Sequence, residues 1–112
     1  MAFIYKKILQ ITTIPTDSSA LFTVTTETKV YIRLIVIHNS YTAAEAVKLW
    51  IVPNGGSVGD TNEIFNQNMN PGETVILFFD IPGIILDTAG DAIHGDTTTA
   101  SKVTIQIMGA TE

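Results

Sequence analysis

The chain contains no cysteine, so neither a disulfide framework nor thiolate chemistry is open to it, and its fold is indifferent to redox compartment. Charge is also scarce: 15% of the 112 residues are charged against 46% apolar. A disordered chain has the opposite balance, so a folded domain is expected. Basic residues number 6 against 11 acidic ones, a formal charge of −5. That excess repels phosphate backbones and anionic headgroups, so neither nucleic acid nor membrane is expected as a partner. The bases are dispersed apart from Lys6-Lys7, and no basic stripe forms. Long hydrophobic runs are absent as well: the longest, residues 30–37, is split by Arg33 and falls short of the roughly 20 residues of a spanning helix. In MAFIYKKILQ the lysines follow the apolar residues, which does not fit a signal peptide. A soluble protein made in the cytoplasm is the expectation.

Helical periodicity is nearly missing too. What the chain has instead is strands: VYIRLIVIH (30–38), AVKLWIV (46–52), TVILFFDI (74–81) and KVTIQIM (102–108), dense in β-branched and aromatic residues. Further candidates are 3–14, 21–26, 84–87 and 92–95, with 62–69 open between a strand and a helical turn. Residues 42–46 suggest one helical turn, too short to stand alone. Between these lie turn signals, among them Pro53-Asn54-Gly55-Gly56, Pro71-Gly72-Glu73, Pro82-Gly83, Ala89-Gly90-Asp91 and a turn near Thr26-Glu27-Thr28. Eight or nine strands at this spacing predict one all-β domain over residues 1–112, an antiparallel β-sandwich or barrel.

Period-2 alternation divides each strand into two faces. Val30, Ile32, Leu34 and Val36 make one apolar set, with Val47, Leu49 and Ile51, Val75, Leu77 and Phe79, and Val103, Ile105 and Ile107. These are the expected core. The opposite faces mix charges with further large apolar groups, where a solvated antiparallel sheet should be more cleanly polar. Tyr31, Ile35, Ile37, Trp50, Val52, Ile76, Phe78 and Met108 on those faces are the candidate oligomer interface. The alternative is that the second face is covered by the chain's own N-terminal strand or long loop.

No catalytic, cofactor-binding or metal site is expected. His38 and His94 are the only histidines; His38, at a strand end on the expected inner face, fits a hydrogen bond to a nearby loop. Asp91, His94 and Asp96 form the best local cluster, but Asp91 and His94 point to opposite sides of a strand. His94 and Asp96 alone make a poor cation site. Gly55-Gly56-x-x-Gly59 lacks the Lys-Ser/Thr and the helix of a phosphate loop. Trp50 and Tyr41 are the only aromatics suggesting a carbohydrate platform, the basis of a rival reading.

IHNSYTAAEAVKLWIVPNGGS, then NPGETVILFFDIPGIILDTAGDAI, then a Thr/Ser/Ala loop and KVTIQIMGATE resemble small virion proteins of tailed bacteriophages. The similarity spans about residues 30–112. It implies a jelly-roll-like sandwich and a non-enzymatic structural role in the virion, chiefly as a capsid decoration or cement protein. It also implies self-association, with a trimer favoured, and contact with other virion proteins such as a major capsid protein. The alternative is a tail- or fibre-associated carbohydrate- or receptor-binding module.

Overall fold

The computed structural model describes residues 4–25 and 29–112. Nine strands are present: β1 (Ile4–Thr13), β2 (Ala20–Thr23), β3 (Val30–Asn39), β4 (Glu45–Val52), β5 (Glu63–Met69), β6 (Thr74–Phe78), β7 (Ile84–Leu86), β8 (Ala92–Thr97) and β9 (Val103–Thr111). Residues 62–69 are thus a strand, and residues 42–46 enter β4 with no helical turn. The turn expected near residues 26–28 lies outside the described residues.

The strands form two antiparallel sheets in a sandwich-like arrangement. Sheet A runs β1-β9-β3-β6, with β7 on the same side of β3 as β6; sheet B runs β2-β8-β4-β5. The pairing is nested: β1 with β9, β2 with β8, β3 with β6 and β4 with β5. Each strand of the first half is therefore matched by one from the second. The chain passes from sheet A to sheet B at residues 14–19, held by Ile14 N–H to the Val103 carbonyl at 2.8 Å and Thr97 N–H to the Pro15 carbonyl at 3.0 Å.

The core lies between the sheets. Val47, Leu49, Ile93 and Phe65 from sheet B meet Val30, Ile32, Ile35, Ile37, Ile105 and Ile107 from sheet A. Val75, Leu77 and Phe79 pack against this cluster from the β6 side. Full burial of each large apolar side chain contributes roughly 1.5–3 kcal/mol.

In β3 the alternation expected from sequence fails halfway. Register passes from Ile32 opposite Gly109 to Leu34 opposite Met108, leaving Arg33 as an extra residue. Such a bulge shifts every later side chain to the other face. Val30 and Ile32 point inward as expected, but beyond the bulge Ile35 and Ile37 are buried while Leu34, Val36 and His38 move outward and are half-buried. Two glycines make room for it. A Cβ on Gly109 would overlap the Tyr31 carbonyl, and one on Gly83, at φ +91°, would overlap the Ile32 carbonyl.

Two buried polar residues, at the close of β3 and the start of β4, tie one end of the sandwich. Asn39 has no exposed surface; its side-chain amide donates to the carbonyls of Ala43, Met69 and Asn70, and its Oδ1 accepts from Tyr41 N–H at 2.9 Å. Glu45, also buried, accepts from the Thr97 hydroxyl and from both the N–H and the hydroxyl of Thr99, at 2.7–2.9 Å.

Candidate functional site

The large apolar side chains left exposed are not scattered. Among the described residues they are Ile4, Tyr5 and Ile11 on β1, Ile76 and Phe78 on β6, Ile81 in the turn after β6, and Ile85 on β7. All belong to the two margins of sheet A. None lies on sheet B.

The outer face of sheet A connects these margins. Across it Phe78 stands opposite Leu34, Leu34 opposite Met108, and Met108 opposite Lys7. A second row places Ile76 beside Val36 and Gln106. A third is polar, with Thr74, His38 and Thr104. The apolar row opens into a groove of about 500 Å3 lined by Tyr5, Arg33, Leu34, Phe78 and Met108, with Lys6 and Lys7 at its rim. Leu34 reaches this face because the bulge turns it outward beside Arg33, whose guanidinium sits 5.8 Å from the Tyr5 ring centre, within cation–π range.

Charge is divided between the margins. Lys6 and Lys7 lie on β1, while exposed Asp80 and Asp87 lie on the β6–β7 side. The single ion pair among the described residues is Lys29–Glu112, at 3.9 Å, so both sets of charges are available to a partner. Tyr31, on the same face, donates its hydroxyl to Glu112 at 3.3 Å. Burial first, and the Glu112 carboxylate second, hold that hydroxyl above the ordinary tyrosine range.

Four of the eight residues expected at an interface share this face: Tyr31, Ile76, Phe78 and Met108. The other four do not reach it. Ile35 and Ile37 are core residues because of the bulge. Trp50 and Val52 do point away from the core, yet they are 6% and 4% exposed. The chain itself covers them. The 53–62 connection at that end is fastened by Asn54 N–H to Asp91 Oδ1 at 3.0 Å and by Ile51 N–H to the Asn62 carbonyl at 3.0 Å.

Ile4, Tyr5, Ile11, Ile81, Ile85 and Arg33 were not among the expected contact residues. The signal for β1 was present in IYKK, an apolar-basic mixture unusual for a central strand. Nothing in the sequence marks β1, β6 and β7 as the margins of one sheet.

The histidines have structural partners. His94 Nδ1–H donates to the Ser18 carbonyl at 2.8 Å. His38, on the outer face rather than the inner one, shares a 2.8 Å hydrogen bond with the Thr74 hydroxyl of β6. Among the described residues no three His, Asp or Glu side chains converge as metal ligands. Compared with known protein families and with curated proteins, the chain matches none.

Proposed function

We propose that this chain is a non-enzymatic structural protein of a virion, a capsid decoration or cement protein of the tailed-bacteriophage kind. It self-associates through sheet A, with a trimer favoured, and reinforces the particle by contacts with a major capsid protein. It is made in the host cytoplasm and needs no cofactor, metal, nucleic acid or membrane. The observation that carries this reading is the confinement of every exposed large apolar side chain, among the described residues, to the margins of sheet A. An isolated domain gains nothing from that distribution, whereas a contact surface requires it.

The finer architecture belongs to the same proposal. Setting aside three-residue β7, the sheets run 1-9-3-6 and 2-8-4-5. A long ribbon of nested pairs, rolled so that β9 meets β3 and β8 meets β4, has the strand order of a jelly roll. Viral capsid domains use that architecture, and so do lectins. It supports the virion reading by fold analogy only.

The carbohydrate-binding alternative has weaker support. Trp50 is buried, and the Tyr41 ring is capped by the Lys102 ammonium at 5.0 Å. Neither offers the open aromatic platform that reading needs.

Two measurements test the proposal. Sedimentation of the purified chain over a wide concentration range should show a discrete oligomer that Phe78→Asp dissociates; a monomer at several hundred micromolar would end the assembly reading. Gold-labelled antibodies against the chain should decorate phage particles from its source, and unlabelled particles would remove it from the virion.

A further inference from the structure

The proposed assembly surface leaves open how two copies meet. We propose that the partner is a second copy placed head to tail, so that the β1 margin of one chain docks on the β6–β7 margin of the next. This rests on the assembly reading above and specifies its geometry.

Three observations favour it. The margins are complementary in charge: Lys6 and Lys7 on β1 are exposed and without an ion pair among the described residues, as are Asp80 and Asp87 on the opposite side. Two identical β1 margins would instead set lysines against lysines. The margins are also complementary in apolar content, with Tyr5 and Ile4 on one and Phe78 and Ile81 on the other, each more than 60% exposed.

The third observation concerns what a face-to-face pair would bury. A two-fold axis along the strands would also set β1 over β6, but it would bring the Thr74, His38 and Thr104 row of one copy onto the same row of the other. Those polar groups would lose water for each other. Margin-to-margin docking leaves that row solvated.

The contact is made by side chains, not by extension of the sheet. Register in β1 is interrupted between Lys7 and Leu9 and between Leu9 and Thr12, and the opposite margin is broken between β6 and β7. Neither edge offers the long flat ladder that strand addition needs. A margin about 33 Å long and about 10 Å deep presents roughly 330 Å2, taking ~3.3 Å per residue of strand and ~10 Å between packed sheets. One such contact is small beside the roughly 800 Å2 per partner of a stable interface. A closed ring holds every copy by two such contacts where an open pair has one, so a ring is favoured over an open pair.

Complementation tests this directly. Ile4→Asp disables the β1 margin outside the groove that Tyr5 and Phe78 share, and Phe78→Asp the β6–β7 margin; both sites are surface-exposed, so folding should persist, checked by fluorescence of the single tryptophan. Each variant alone should lose self-association by at least tenfold. Mixed one to one, they should associate more strongly than either variant alone and form nothing larger than a heterodimer, because one intact contact survives per pair. Ile81→Asp should substitute for Phe78→Asp. A mixture that associates no more than either variant alone, while the wild type remains oligomeric, overturns the head-to-tail arrangement and leaves the assembly reading intact. A monomeric wild type removes both. Raising salt should weaken the contact, and association that strengthens with salt would overturn the charge pairing.

Discussion

Asn39→Asp isolates a buried polar clasp that joins four segments of the fold. In the wild type the two amide protons of Asn39 serve the carbonyls of Ala43, Met69 and Asn70 at 3.0, 3.1 and 3.2 Å. Its backbone adds two more links, donating to Glu73 and accepting from Gly72, both at 2.9 Å. A carboxylate keeps the acceptor that holds Tyr41 N–H but turns an oxygen toward three carbonyls. Each buried acceptor left without a donor costs about 1–3 kcal/mol. With three affected and partial relaxation, the loss should be about 3–6 kcal/mol, against a total near 5–15 kcal/mol for a small domain. Urea unfolding reports it through Trp50, the only tryptophan and 6% exposed. At a slope of about 1.5 kcal/mol/M the midpoint should fall by about 2 M or more. The pH dependence supplies a second check. The carbonyl ring raises the introduced carboxyl's pKa in the folded state, and its protonated form regains one donor. Stability lost to the substitution is therefore greatest above the folded pKa and partly recovered as pH falls through it. A midpoint within 0.5 M of wild type, or a deficit that grows on acidification, would refute the clasp.

Other substitutions probe the remaining supports. Gly109→Ala should destabilise by more than an exposed strand glycine would, since its Cβ meets the Tyr31 backbone carbonyl; a melting temperature within 2 °C of wild type would contradict the close approach. Glu45→Ala strips the acceptor from Thr97 and Thr99, and a loss of about 2–4 kcal/mol in urea unfolding is expected. The Tyr31 hydroxyl should ionise above the ordinary value of 10.0, as absorbance at 295 nm would show when compared with Tyr31→Phe. Because that pKa is raised on folding, its stabilising contribution is complete below the unfolded value and fades as pH rises through the folded one. An ordinary titration would place the hydroxyl in open water.

The sequence alone determined the class of the fold, the strands and most of the inward faces. Period-2 alternation is a local property, so Val47, Leu49 and Ile51, Val75, Leu77 and Phe79, and Val103, Ile105 and Ile107 were assignable without knowing their neighbours. Turn chemistry is local as well, and Pro71-Gly72-Glu73 reverses the chain as expected, with Gly72 at φ +77°. Tertiary structure decided the rest. The bulge at Arg33 depends on β9 lying opposite with Gly109 behind it, and only that pairing sends Ile35 and Ile37 inward. Whether Trp50 meets solvent depends on where distant chain passes, and whether Tyr5 and Phe78 belong to one surface depends on strand order. A strand's own residues fix which side chains alternate, but partners far along the chain fix which side becomes the inside.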